Sequence, residues 1–103
     1  MLKNYLKKII VVKDREGKLL DYDIVWGPSV EVKQKCVVVR FSIKVKGEDA
    51  SRRMTLVLGK RIDGTLTGKN RIYYEVRELG DIEVNVNLGA ISLHELEEVL
   101  YRE

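Results

Sequence analysis

The longest regular alternation of apolar and polar residues in the chain runs from Cys36 to Lys46. Its odd-numbered positions are apolar, and most of its even-numbered positions are polar or basic. The apolar positions are Val37, Val39, Phe41, Ile43 and Val45, and the polar ones are Arg40, Ser42, Lys44 and Lys46. Because successive side chains of a strand point to opposite faces, one face is apolar and the other is hydrated and basic. The pattern predicts the central strand of an antiparallel sheet, with Phe41 and Ile43 buried and Arg40 and Lys44 exposed.

The N-terminal residues carry a short helical pattern followed by a strand pattern. Leu2, Leu6 and Ile9 recur at helical spacing. This spacing indicates either a short helix over residues 2–8 or an irregular lead-in to a strand. The β-branched residues from Ile9 to Val12 then predict the first strand.

The next residues predict a hairpin and then an interruption. A turn at Asp14–Gly17 should return the chain as a second strand, Lys18–Val25, that pairs with the first. Trp26–Ser29 should end this strand because its proline has no N–H to donate. Trp26 itself is expected to fill a corner of the core.

Further strand patterns lie on both sides of the central strand. Val30 and Val32 are apolar at even positions, whereas the central strand is apolar at odd ones. We therefore expect a bulge or a corner at residues 33–35. The next strand after the central one is predicted by the alternating residues Met54, Leu56 and Leu58.

The residues that follow predict two turns and a final hairpin. Asp63–Gly64 and Gly68–Asn70 are turn signals on either side of a short strand, Thr65–Thr67. Further on, the apolar positions of two strand patterns are all even-numbered. They can face each other only across a loop with an odd number of residues, which we assign to Leu79–Asp81. The predicted cross-strand pairs are Val76 with Val84, Tyr74 with Val86, Ile72 with Leu88, and Arg77 with Glu83.

The chain closes with a predicted helix over residues 92–102, where Ser92 and Glu95 have the spacing of a capping box. Its apolar stripe comprises Leu93, Leu96, Val99 and Leu100, and the residues expected to face water are Glu95, Glu97, Glu98 and Arg102. We predict one domain, residues 1–103, with a predominantly β, α+β fold. About six or seven strands between residues 9 and 88 should form an antiparallel meander, as an open sheet or a partial barrel, covered by the C-terminal helix.

The composition is that of one globular domain rich in charge. With 103 residues, 45% of them apolar, the chain is long enough for one hydrophobic core. No apolar run approaches the roughly 18–20 residues that a membrane-spanning helix needs. A lone cysteine, Cys36, cannot form an internal disulfide. We therefore expect a cytoplasmic protein. Charged residues make up 34% of the chain, which is typical of thermophilic proteins.

Charge is distributed unevenly along the chain. Residues 33–71 carry eleven basic and three acidic side chains, a balance of +8. Residues 72–103 carry two basic and eight acidic side chains, a balance of −6. This polarity predicts a partner of one sign, or self-association through opposite charges.

The sequence offers little catalytic chemistry. His94 is the only histidine and lacks the partners that a catalytic triad or a histidine-rich metal site needs. Asp23, followed by Glu31 and Lys33, resembles the acidic motif of restriction-endonuclease-like nucleases. That resemblance implies carboxylates that hold Mg²⁺ and a lysine that orients a water molecule. The family continues this motif into a helix, whereas a long strand pattern follows here. We expect no enzymatic activity, no cofactor and no metal, with the metal-dependent nuclease as a second alternative.

The basic middle segment gives the leading functional hypothesis. A twisted sheet with a basic outer face and an exposed aromatic residue can follow a phosphate backbone and stack on an unpaired base. We expect a small binding protein that contacts DNA or RNA with little sequence specificity. The candidate binding residues are Arg40, Lys44, Lys46, Arg53, Lys60, Arg61, Lys69, Arg71 and Tyr73.

The sequence is consistent with two other interpretations of the basic residues. The basic residues can simply be the hydrated face of a charge-rich sheet, where lysines prevent strand edges from pairing. Alternatively, the protein is a structural or interaction module, in which the basic middle of one copy docks on the acidic C-terminal surface of a second copy or a protein partner.

Overall fold

The structure is a computed structural model that describes residues 2–75 and 82–102. The elements are α1 (Leu2–Ile9), β1 (Ile10–Asp14), β2 (Tyr22–Val32), β3 (Cys36–Val45), β4 (Arg52–Lys60), β5 (Leu66–Tyr74), β6 (Ile82–Val86), a 3₁₀ turn (Leu88–Ala90) and α2 (Leu93–Leu100). Strands β2, β3, β4 and β5 form a four-stranded antiparallel meander in that order, and β1 and β6 form a separate two-stranded ribbon. The predicted α+β, mostly β class is confirmed, and the described sheet is open.

One face of the four-stranded sheet, which we call the inner face, forms the hydrophobic core. The odd-numbered side chains of β3 face the even-numbered side chains of β4: Val37 lies opposite Leu58, Val39 opposite Leu56, and Phe41 opposite Met54. All six are buried, and so is Ile43. Arg40 and Lys44 are exposed on the opposite face. The alternation that defined the central strand therefore predicted its two faces correctly.

Two helices pack against the inner face. Leu2, Leu6 and Ile9 of α1 are fully buried, so the N-terminal pattern belongs to a helix and not to a strand lead-in. The C-terminal helix is also confirmed, and its buried residues are Leu96, Val99 and Leu100. Within the described residues, no helix is both long enough and apolar enough to cross a membrane.

Two details of the C-terminal helix differ from the prediction. Ser92 occupies the N-cap position, but its hydroxyl makes no capping hydrogen bond. The sequence spacing between Ser92 and Glu95 does not determine the Ser92 rotamer. The spacing alone therefore could not show whether the hydroxyl makes the capping hydrogen bond. Glu97 does not face water. Its side chain is only 17% exposed. The carboxylate accepts the N–H of Leu66 at 2.7 Å, because this side of α2 adjoins the start of β5.

The first predicted hairpin is reduced to a single bridge. The turn at Asp14–Gly17 forms as expected, with the Asp14 carboxylate accepting the N–H groups of Glu16 and Lys18. Beyond it, only Lys13 and Leu19 pair across the turn. The chain then leaves β1, and β2 begins at Tyr22 as a partner of β3.

The predicted C-terminal hairpin pairs of Tyr74 with Val86 and of Ile72 with Leu88 are wrong. Strand β6 pairs with β1, so that Ile10 lies opposite Val86 and Val12 opposite Val84. Strand β5 pairs with β4 instead. The alternating apolar residues of β6 fit those of β1 as well as those of β5, so alternation alone does not determine which strand pairs with β6. The predicted loop, Leu79–Asp81, lies outside the described residues, and so do Val76 and Arg77 of the predicted Val76–Val84 and Arg77–Glu83 pairs.

The apolar positions change from even-numbered in β2 to odd-numbered in β3 because a tight hairpin joins the two strands, and not because of a bulge at residues 33–35. The N–H of Lys33 donates to the carbonyl of Cys36 at 2.8 Å, which leaves a two-residue turn. Even residues of β2 then face odd residues of β3, as in the pair of Val30 with Val39. The irregularities lie upstream, where the register shifts on both sides of Trp26. The strand therefore continues through its proline instead of ending there.

Gly68 marks a bulge within β5 and not the turn that was predicted. Gly68 has φ of +83°, a conformation that favours glycine, and the register with β4 shifts at this point. The neighbouring Thr67 hydroxyl lies over Gly59 of β4, where a Cβ would come within 2.4 Å of that oxygen. The short strand predicted at Thr65–Thr67 thus overlaps the first part of the longer strand β5. The Asp63–Gly64 turn is confirmed, since Asp63 accepts the N–H of Thr65.

Tyr22 connects the two sheets. Its hydroxyl donates to the carbonyl of Ile10 at 2.8 Å, and its side chain is buried. Burial, with a smaller contribution from the charge of Asp21, raises the pKa of Tyr22 to about 12. The folded protein therefore favours the neutral phenol.

Removal of the Phe41 ring should test the assignment of the two faces. We expect Phe41→Ala to lower the free energy of unfolding by roughly 3–5 kcal/mol, because it removes buried area and leaves a cavity. Arg40→Ala, on the exposed face of the same strand, should be nearly neutral. Urea unfolding of both variants measures the difference, and similar losses in the two would contradict the assignment.

Alkaline pH should destabilise the protein through Tyr22. Since its folded pKa lies above the unfolded value near 10, its contribution is complete below pH 10 and is lost as the pH rises from about 10 to 12. Tyr22→Phe should remove this part of the decline and cost about 1 kcal/mol at neutral pH through the lost hydrogen bond. Unfolding free energies measured between pH 8 and pH 12 for this variant and for Tyr73→Phe, an exposed control, provide the test.

Candidate nucleic-acid interface

The second face of the four-stranded sheet, which we call the outer face, carries most of the predicted binding residues. The strand register places its side chains in rows across the sheet. One row consists of Ser29, Arg40, Thr55 and Tyr73, a second of Trp26, Ser42 and Arg53, and a third of Glu31, Val38, Val57 and Arg71. Lys44 extends the face at one end, and Lys69, beside Gly59, extends it at the other. At about 3.3 Å per residue, these two lysines are roughly 25 Å apart along the strands.

The remaining predicted residues lie at the margins. Lys46 follows β3, where its N–H donates to the carbonyl of Asp21. Lys60 follows the buried Leu58 by two residues on β4, so it has the same even-numbered position in the alternation as the inner-face residues. Its amino group contacts the carbonyl of Arg61 at 3.4 Å. The Arg61 guanidinium donates to the Leu66 carbonyl at 3.1 Å. Lys60 and Arg61 are therefore placed at the β4–β5 turn and not in the rows of the outer face.

Arg40 is partly neutralised by a carboxylate. Its guanidinium lies 3.0 Å from Glu31, and both side chains are about half exposed. The hydrogen bond from Arg40, with the positive charge of Lys33 next in importance, holds the pKa of Glu31 below its ordinary value. Glu31 is therefore charged at neutral pH. An exposed pair of this kind is weak because water screens both charges, so a phosphate can compete for Arg40.

The other cations of the outer face have no such neighbour. Within residues 2–75 and 82–102, no carboxylate oxygen lies within 4.0 Å of the charged groups of Lys44, Arg53, Lys69 and Arg71. All four side chains belong to exposed residues. They form a basic surface whose charge the described part of the protein does not neutralise.

Trp26 was expected in the core, and this prediction was wrong. The structure places its side chain on the outer face opposite Ser42, with 57% of its surface exposed. The two register shifts around Trp26 reset the direction of its side chain, and simple alternation cannot locate such shifts. The nearby Gly27–Pro28 pair was the available signal, since it marks irregular backbone. Tyr73, which was predicted to face outward, is 55% exposed.

The nuclease-like residues do not converge. Asp23 lies opposite Lys44 and Glu31 opposite Val38, so the two carboxylates are separated by six residues of strand, or about 20 Å. Ligands of one magnesium ion sit roughly 2 Å from it. Among the residues that the structure describes, no group of three or more His, Cys, Asp or Glu side chains could hold a metal ion. His94 is exposed, as predicted, and its ring lies 3.3 Å from Glu98.

Comparison of the chain with known protein families, with curated proteins and with solved structures found no significant match.

The fluorescence of the single tryptophan should report its position. An indole on the outer face should emit at the long wavelengths of a water-exposed ring, and acrylamide should quench it almost as well in the folded as in the urea-unfolded protein. A blue-shifted emission that acrylamide quenches only after unfolding would place Trp26 in the core instead.

Proposed function

We propose that this protein is a non-enzymatic nucleic-acid-binding module that uses the outer face and has little sequence specificity. One observation carries the proposal: a single sheet face combines two exposed aromatic side chains with four cations that have no carboxylate neighbour among the described residues. These cations are Lys44, Arg53, Lys69 and Arg71, and the aromatic residues are Trp26 and Tyr73.

The single cysteine, unpaired and half-buried, suits a reducing compartment, so we place the protein in the cytoplasm.

The chemistry of a nucleic acid matches both parts of this face. Phosphates bind to arginine and lysine and release condensed counterions, which supplies affinity that does not depend on sequence. Aromatic rings stack on bases of any kind, because every base has a π-face. A protein ligand of acidic character would use the cations but would leave the two exposed aromatic rings without a specific role.

Charge reversal on the outer face should test the proposal. For about four neutralised phosphates, the logarithm of the binding constant should fall with the logarithm of salt concentration with a slope of roughly −3 to −4. Arg53→Glu combined with Arg71→Glu should weaken binding to oligonucleotides of all sequences by at least about tenfold and make the slope shallower by roughly 1.5. Fluorescence anisotropy with labelled DNA and RNA measures both quantities.

The matched control reverses two exposed arginines elsewhere. Arg15 lies in the turn after β1 and Arg102 follows α2, so Arg15→Glu with Arg102→Glu changes the net charge by the same amount away from the outer face. This control should bind almost as well as the wild type. Equal losses in the two double variants would show a response to net charge alone, and no binding by the wild type at about 50 mM salt would overturn the proposal.

A charge reversal on α2 separates nucleic-acid binding from self-association. Glu97 cannot be used for this purpose, because it accepts a hydrogen bond from Leu66. Glu95 and Glu98 are exposed, and their replacement by lysine should leave nucleic-acid binding intact or strengthen it. A stable self-complex that this variant loses, in a protein that binds neither DNA nor RNA, would favour the interaction module.

A further inference from the structure

A depression on the outer face adjoins the exposed tryptophan. It has a volume of about 510 Å³, and its lining includes Trp26 of β2, Arg40 and Ser42 of β3, and Arg53 and Thr55 of β4. The register accounts for this grouping, since Trp26, Ser42 and Arg53 form one row and Arg40 and Thr55 belong to the next. Three strands thus contribute to one site beside an indole ring.

The backbone holds the tryptophan at the edge of this depression. Gly27, the next residue, has φ of +80°, and a Cβ there would come within 2.8 Å of the Arg40 carbonyl oxygen. The chain of β2 therefore lies directly against β3 at this point, and only glycine permits the approach. The register shifts on both sides of Trp26 turn its indole onto the outer face. The ring is held by a sheet strand and not by a loop, which favours a defined binding geometry.

The other residues of the depression supply hydrogen-bonding groups and charge. The hydroxyls of Ser42, which is nearly buried, and of Thr55 can both donate and accept. In the described part of the chain neither hydroxyl has a hydrogen-bond partner. Arg53 has no carboxylate neighbour there either, and Arg40 is held only by its exposed pair with Glu31. The site thus combines a flat apolar wall, small hydroxyl groups and two guanidinium groups.

We infer that this depression binds one unstacked nucleobase, and that the ligand of the outer face is therefore single-stranded nucleic acid. This inference rests on the proposed function and narrows its ligand class. A base can stack on the indole of Trp26 while its edge meets the hydroxyls of Ser42 and Thr55, and the flanking phosphate meets Arg53. In a duplex, the faces of each base are covered by its neighbours and its pairing edge is occupied, so a duplex can use only the cations.

Tyr73 provides a second stacking surface for the same strand. It lies in the row of Arg40 and Thr55, on the opposite side of β4 from the tryptophan. At roughly 4.8 Å between neighbouring strands, Trp26 and Tyr73 are about 14 Å apart across the sheet. A single strand bound at both rings would cross the sheet strands and pass over Arg40 and Arg53.

Trp26 is the only tryptophan in the chain, so its fluorescence reports directly on this site. Addition of a single-stranded oligothymidylate of about 10 nucleotides should quench the emission of the wild-type protein. A duplex of the same length, bound through its phosphates, should leave the emission nearly unchanged. Trp26→Ala should weaken single-strand binding by about tenfold to hundredfold and leave duplex binding within about twofold, whereas Trp26→Phe should retain most of the single-strand affinity.

The control is Tyr101→Ala, which removes an exposed aromatic residue from the end of α2, away from the outer face. It should bind the single strand like the wild type, and circular dichroism should show that each variant is folded. Binding of the oligothymidylate without quenching, together with an unchanged affinity in Trp26→Ala, would overturn the nucleobase site and leave the proposed function standing. Quenching by the wild type tests the site even if an alanine variant fails to fold. Absence of binding to either nucleic acid would overturn both proposals.

Discussion

The burial of one face of β3 is the interaction on which the rest of this fold depends. Val39 and Phe41 lie against Leu56 and Met54 of β4, and the helices close over them. Each fully buried side chain of this size contributes roughly 1.5–3 kcal/mol. Because successive residues alternate between faces, burial of this stripe forces Arg40 and Lys44 outward. The basic outer face is thus a direct consequence of how the core is built.

The sequence predicted the local elements better than their partners. Alternation identified β3 and β4, and helical spacing identified α2, because each pattern reflects burial within a single element. The pairing of β1 with β6 could not be predicted in this way. It depends on the fit of two apolar faces that are far apart in the chain, and nothing in either segment specifies the other. The turn assigned to Gly68 failed for a related reason, since glycine serves a bulge as readily as a turn.

The same difference between regular elements and long-range or irregular structure applies to the residues of the candidate site. Arg40, Lys44, Arg53 and Tyr73 were placed correctly on one face because they belong to regular strands. Trp26 was misplaced because two register shifts surround it, and a single inserted residue reverses the direction of a side chain. Glu97 was taken for a hydrated residue because its hydrogen bond to Leu66 joins segments 31 residues apart. Irregular backbone and long-range contacts thus mark the limit of reasoning from periodicity.

The pairing of β1 with β6 also determines when the molecule can become complete during its synthesis. Ile10 and Val12 can pair only after Val86 and Val84 have been synthesised. Strand β1 therefore leaves the ribosome long before its partner strand, β6, exists. The four-stranded meander needs only neighbouring segments and can assemble earlier, since short loops close at low entropic cost. Until the last quarter of the chain emerges, the N-terminal strand presents an unpaired apolar edge. A nascent chain is therefore exposed to wrong strand pairing at β1 until β6 has been synthesised.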